Sequence, residues 1–201
     1  MFLKGDRVGL RPPRKESIDA YLSWMNDLDV LQYILRVRPM GRAEEEEWFA
    51  NLSKRPDDVV FEIVSREGEV PVGSCGLHRI SSSNRSAEIG IVIGDKSLWG
   101  KGRGREAMGL LCGYGFNVLN LNRIGLSVYE YNERGIRCYE RLGFKHEGRR
   151  RAARFWNGRY WDILEMGLLE SEWRASREPG SPDRCQEGTL KDELRSPSGQ
   201  A

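Results

Sequence analysis

Three glycines and three cations alternate directly before a helical pattern. In SLWGKGRGREAMGLL, residues 97–111, Gly100, Gly102 and Gly104 are interleaved with Lys101, Arg103 and Arg105. The β-branched run AEIGIVIG precedes them, and Ala107, Leu110, Leu111, Tyr114 and Val118 follow as one apolar helical stripe. Glycine lets backbone N–H groups approach a ligand closely, and neighbouring cations suggest that the ligand is an anion. Three familiar glycine loops fail on spacing. A dinucleotide fingerprint begun at Gly100 needs glycine where Arg105 stands, and one begun at Gly102 needs it where Ala107 stands. A Walker loop needs Ser or Thr after its Gly-Lys, and Gly102 follows Gly100-Lys101. An arginine–glycine RNA-binding segment runs longer and is flanked by disorder, whereas this one lies between strand and helix. What remains is a diphosphate cradle: N–H groups around Lys101 to Arg105 point along the helix start, and Arg103 and Arg105 add charge-assisted contacts. Taken alone, the segment fits an ordinary glycine turn with solvated cations equally well.

The rest of the chain alternates strand and helix signals. Residues 2–11 read as a strand stopped by Pro12-Pro13, and Ile18, Tyr21, Leu22 and Met25 recur at helical spacing. RAEEEEWFANL, residues 42–52, reads as a helix with acids in its first turn. VVFEIVSREGEVPVGSCGL, residues 59–77, gives two strands joined at Glu67-Gly68-Glu69. After the helix that follows the glycine loop come the strand RIGLSVYE, the helix NERGIRCYERLG, and two strands around residues 144–154 and 159–169. The order β, α, α, β, β, β, α, β, α, β, β predicts a single α/β (α+β) domain, a mixed central sheet of about seven strands flanked by helices. Gly109, Gly113 and Gly115 weaken their helix by about 1 kcal/mol each relative to alanine, so close packing must compensate. Beyond Trp173 apolar content nearly vanishes, and residues 174–201 are expected to be a disordered tail.

Composition narrows the function classes. A chain of 201 residues, 39% apolar and 31% charged, suits one well-buried domain. The formal charge of +2, from 32 basic and 30 acidic residues, gives no overall basic field and argues against nucleic acid as the main partner. Apolar runs such as Ile91-Val92-Ile93 are too short to cross a bilayer, and MFLKGDRVGL lacks the apolar core of a signal peptide. A cytoplasmic location is therefore expected. Cys75, Cys112, Cys138 and Cys185 form no C-x-x-C pair, which predicts reduced thiols and no metal.

The segment AEIGIVIGDKSLWGKGRGREA, followed by VYEYNERGIRCYERLGFKHEG, resembles the GNAT superfamily of acetyl-CoA-dependent N-acetyltransferases. The resemblance covers most of residues 3–173. Within it, LWGKGRGREA, YNERGIRCYERLGF and FWNGRYWDILEMGLLESEW are most similar to the branch that acetylates N-termini of ribosomal proteins. The superfamily's diphosphate loop reads [QR]-x-x-G-x-[GA]; Gly102 and Gly104 match its last two fixed positions, and Trp99 departs from the first. The resemblance implies a GNAT domain over residues 1–173, acetyl-CoA as cosubstrate, and direct attack by a primary amine in a ternary complex. It implies that the backbone of Ile91, Val92 and Ile93 pairs with the pantetheine arm and that Lys101, Gly102, Arg103, Gly104 and Arg105 take the diphosphate. An N–H at Val92 or Ile93 would polarise the thioester carbonyl.

The same resemblance gives roles to three side chains. Asn132 and Tyr139 lie seven residues apart, about 10 Å along one helical face, so both could touch one extended cofactor arm. A phenol of pKa about 10 stays protonated at neutral pH, which makes Tyr139 the candidate acid for the departing thiolate; a core place on the stripe Ile136, Tyr139, Leu142 is the alternative. Glu88 matches a catalytic glutamate of the superfamily's histone-modifying members and is the candidate base, or else a salt-bridged edge carboxylate. Strand alternation puts Glu88, Gly90 and Val92 on one face and Ile89, Ile91 and Ile93 on the other. Gly135 occupies a site where some of the branch carry serine. The expected acceptor is a protein or peptide N-terminus, and the expected assembly a monomer or homodimer. The alternatives are a small amine (amino sugar, antibiotic or polyamine) or a non-catalytic acyl-CoA-binding module. Glu44–Glu47 and the arginines Arg149, Arg150, Arg151 and Arg154 of EGRRRAAR read as solvated, and His78 and His146 as structural or exposed.

Overall fold

A computed structural model describes residues 1–34 and 36–177. The opening strand expected over residues 2–11 is two antiparallel strands, β1 (Leu3–Lys4) and β2 (Val8–Arg11). The Gly5 N–H donates to the Val8 carbonyl at 2.9 Å, and the Glu106 carboxylate accepts the Arg7 N–H at 2.8 Å, so the chain turns there instead of running on. That turn gives the sheet an eighth strand beside the seven or so expected.

Three short helices follow, α1 (Ile18–Met25), α2 (Leu28–Leu31) and α3 (Arg42–Ala50). α2 is one turn capped by the Asp27 side chain, too short for periodicity to announce. The antiparallel strands β3 (Val59–Ser65), β4 (Pro71–Ser81) and β5 (Ser86–Ile93) lead into α4 (Arg103–Asn117). Then come β6 (Arg123–Tyr129), α5 (Glu133–Glu140), β7 (Lys145–Trp156), β8 (Arg159–Leu169) and α6 (Glu170–Ala175). α6 carries ordered structure two residues into the segment expected to be a tail; the rest of that expectation, with Cys185, lies outside the described residues.

The eight strands form one mixed sheet in the order β1-β2-β3-β4-β5-β6-β8-β7, antiparallel throughout except between β5 and β6. Leu10, Ile63, Leu77, Ile89 and Ile124 gather with Ala107, Met108 and Leu111 of α4 into the main core. At Gly115 a Cβ would come within 3.0 Å of Ile124 and 3.2 Å of Leu77, so the missing side chain lets α4 lie close to the sheet. The other face carries a second cluster, Tyr21, Trp24 and Val30 with Val92 and Trp99. β5 thus alternates as its sequence predicts, with Ala87 and Ile89 buried and Glu88 exposed. Among the described residues no helix is long and apolar enough to cross a membrane.

Two charged runs depart from the solvated reading. Glu45 is buried while Glu44, Glu46 and Glu47 are exposed, and desolvation raises its carboxyl pKa. Arg154 is buried while Arg149, Arg150 and Arg151 are exposed. His78 and His146 stand beside carboxylates, Asp58 at 3.3 Å and Glu140 at 3.1 Å.

Beneath α1 the Arg11 Nε donates to Glu62 at 2.6 Å, and the Tyr21 hydroxyl donates to the other Glu62 oxygen at 3.4 Å. Glu62 is fully buried, so each charge depends on the other for its stability. Glu62→Leu alone should lower unfolding free energy by about 3–5 kcal/mol by stranding Arg11. Adding Arg11→Met should recover most of that loss in urea melts; a double variant as unstable as the single would contradict this account.

Candidate active site

The parallel ladder between β5 and β6 covers only Ser86–Glu88 against Arg123–Gly125. Both strands continue, to Ile93 and Tyr129, and part into a cleft. The Gly94 N–H donates to the Val72 carbonyl at 2.9 Å. Bonded pairs of an antiparallel ladder recur at every second residue, so Val92 opposite Ser74 and Gly90 opposite Gly76 commit their main chain to β4. Ile89, Ile91 and Ile93 turn theirs toward β6. All three residues expected to offer main-chain groups to a pantetheine arm line the cleft, but only Ile91 and Ile93 turn those groups toward it; those of Val92 go to β4. The Ile93 carbonyl is already taken by the Trp99 indole N–H at 2.7 Å, which leaves its N–H to the cleft.

α4 starts at the mouth of this cleft. Gly102, its N-cap, has φ +80°, a left-handed conformation that favours glycine, and the helix has no side-chain cap. The first intrahelical bond runs from the Glu106 N–H to the Gly102 carbonyl, so the N–H groups of Arg103, Gly104 and Arg105 have no partner within the helix. A Cβ at Gly104 would lie 3.6 Å from Ile93, which sets the helix start against the end of β5. The Arg103 Nε is buried without a hydrogen-bond partner. The free main-chain N–H groups of the helix start fit the twin phosphates of coenzyme A. Gly100, Gly102, Gly104 and Arg105 line the adjoining cavity, whereas Lys101 and Arg103 do not. Lys101 is exposed, and its carbonyl accepts from Arg7 at 3.2 Å.

That cavity, of about 630 Å³, joins the helix start to α5 and to the segment after α2. Arg105, Arg134, Arg137 and Arg141 line it, and among the described residues no carboxylate does. Tyr139 lines it too, its hydroxyl making no hydrogen bond to protein among the described residues, and burial pushes its phenol well above the ordinary range. Asn132 is in the same wall but also caps α5, its side-chain oxygen accepting from the Gly135 N–H at 3.0 Å. A Cβ at Gly135 would sit 2.6 Å from the Asn132 amide, so a serine there would displace the cap. The sequence reading missed Arg134 and Tyr33. The Arg134 guanidinium lies 4.0 Å from the centre of the Trp99 ring and 5.3 Å from that of Tyr33, roofing the cavity. Aromatic residues far apart in sequence gave no sign of that stack.

Glu88 is not in this cavity. It forms an ion pair with Arg79 and lines a smaller one, of about 270 Å³, with Ser127 and Glu165. It stands at the last rung of the β5–β6 ladder, where the strands begin to part, on the sheet face away from α4.

A model of the acetyltransferase (GNAT) domain matches residues 7–145. The chain belongs to the GNAT acetyltransferases. This GNAT chain is 31% identical over 180 residues to the spermidine N(1)-acetyltransferase of Escherichia coli K12, covering 86% of this chain and 92% of that one. It is 31% identical over 172 residues to the uncharacterized N-acetyltransferase p20 of Bacillus licheniformis, with 84% and 96% covered. A shorter match, 36% over 105 residues, relates 52% of it to 57% of YdaF of Bacillus subtilis, provisionally assigned to ribosomal N-acetylation. The spermidine N-acetyltransferase of Vibrio cholerae, solved with CoA and spermine, has a TM-score of 0.78 at 27% identity over 84% of this chain and 98% of that one. The GNAT protein described here is therefore an acetyl-CoA-dependent N-acetyltransferase.

Trp99, which stands where the family loop has Gln or Arg, is bound to the end of β5 on one side and to α5 through Arg134 on the other. Trp99→Phe leaves the partly buried Ile93 carbonyl without its donor and should cost about 1–3 kcal/mol of stability. Guanidinium melts check this, and an unchanged midpoint would show that the indole N–H is dispensable.

Proposed function

We propose that the enzyme acetylates a small primary amine in a ternary complex, without an acetyl-enzyme intermediate. The parting of β5 from β6 carries this reading, because it puts unpaired main chain, the bare start of α4 and the Tyr139 hydroxyl around one cavity. The two named spermidine acetyltransferases, matched over 84–86% of this chain, support a small-amine acceptor. The ribosomal relative, matched over about half, supports a protein N-terminus less.

Bound acetyl-CoA supplies an activated acetyl group. The N–H groups of Arg103, Gly104 and Arg105 and the Arg105 side chain hold the diphosphate, and Asn132 and the main chain of Ile91 and Ile93 align the arm. The Ile93 N–H polarises the thioester carbonyl as the amine nitrogen attacks its carbon. Glu88, at the apex of the cleft on the opposite face, takes the proton from the amine through water. As the C–S bond breaks, the Tyr139 hydroxyl gives its proton to the sulfur. Acid and base thus flank the reacting carbon from opposite faces of the sheet.

Tyr139→Phe should lower kcat by about 100-fold or more while calorimetry finds acetyl-CoA binding retained. An unchanged kcat would remove Tyr139 from the acid's role. Because burial keeps that phenol protonated above its ordinary range, wild-type kcat/KM should rise with pH as the amine loses its proton, with no descending limb below about pH 10. Glu88→Gln should move the rising limb to higher pH; a profile superimposable on wild type would exclude the base role.

A further inference from the structure

β7 exposes its side chains from Lys145 to Ala153 and then buries one, Arg154, which is 8% exposed. A break in register between Arg150 and Arg154 turns it inward. Within the break Ala152 adopts φ +49°, a conformation alanine avoids, and its N–H is held by Asp162 at 2.8 Å. The Arg154 guanidinium then lies 4.8 Å from the centre of the Tyr129 ring and 5.1 Å from that of Trp156, and donates to the Ile34 carbonyl at 3.4 Å. Among the described residues no carboxylate pairs with it, and its Nε has no hydrogen-bond partner. Beside it the Tyr129 hydroxyl is likewise buried and unpartnered, on a residue 6% exposed.

A buried cation without a counter-charge and a buried phenol without an acceptor are both costly arrangements, and one anion relieves them together. A carboxylate has the chemistry for both, with one oxygen to accept from the Arg154 Nε and the other from the Tyr129 hydroxyl. The pair stands behind the wall of the large cavity, which neither residue lines. Tyr129 ends β6 on the lip opposite β5, and alternation from Gly125, which pairs with Glu88, puts it on the face away from α4. Ile34, which Arg154 touches, lines the large cavity.

We propose that Arg154 and Tyr129 bind a carboxylate on the acceptor, so that the amine acetylated is that of a small amino acid and not of a polyamine. This rests on the small-amine reading above and narrows it. The test measures thiol release from acetyl-CoA with ω-amino acids of two to six carbons, each against its primary amide and the diamine of equal length. Spermidine and the matching aminoalkyl phosphonates complete the panel.

At least one amino acid should exceed its own amide by about tenfold or more in kcat/KM. That preference should disappear in Arg154→Gln and shrink in Tyr129→Phe, through KM, the acids losing far more than their amides. Tyr129→Phe removes only a hydroxyl that has no partner among the described residues, so its thermal stability without ligands should equal or exceed that of wild type. Amides and diamines that match the acids, or a Tyr129→Phe enzyme that slows acids and amides alike, would overturn the carboxylate site. A phosphonate outrunning its carboxylate twin would overturn the class of anion. Efficient acetylation of spermidine but of no amino acid would leave the small-amine reading standing and remove this one. If no amine in the panel releases thiol from an enzyme that binds acetyl-CoA, the small-amine reading itself fails.

Discussion

The ladder between β5 and β6 ends after three residue pairs, and much of the molecule is arranged around the hydrogen bonds it leaves unmade. A buried N–H or C=O without a partner costs about 1–3 kcal/mol, so two adjacent strands part only where something else serves their main chain. The protein serves one of those groups itself, by lending the Trp99 indole to the Ile93 carbonyl. It leaves the others at the edge of a cavity whose far end is a helix start with three more unspent N–H groups. A long ligand with amide groups along its arm and phosphates at its end satisfies both sets at once. The fold holds β5 in place for this, since its other edge is paired to β4 from Glu88 to Ile93 and its Ile89 side chain lies in the main core.

The glycine loop and the periodic segments were legible because each rests on local geometry. A glycine at φ +80° and a strand that alternates buried with exposed residues follow from spacing alone. The early turn at Gly5–Arg7 was not legible, since the carboxylate that fixes it comes from Glu106, about a hundred residues on. Val92 shows the limit of side-chain reasoning. Its alternation was read correctly, yet the direction of its main-chain bonds depends on the register with β4, which no pattern within AEIGIVIG reveals. The arginine run failed for a related reason: a bulge shifts the phase of β7, so that Arg154 turns in after nine exposed positions.

Charge is distributed by task. The large cavity is walled by arginines and, among the described residues, by no acid, which suits an anionic cosubstrate. The lone carboxylate offered as a base is kept outside it, tied to Arg79 on the other face. In the proposed mechanism this separation would let one sheet present a cationic grip to phosphates and a basic oxygen to an amine without the two neutralising each other.

The two rims of the sheet differ in how they discourage extension. One ends in β1, only two residues long. The other ends in β7, a long strand crowded with arginines and broken twice in its register with β8. Neither presents the flat, continuous row of amides on which a strand of a foreign chain could template. The enzyme should therefore resist filament growth by strand addition even when highly concentrated, a property unrelated to catalysis that the same bulges confer.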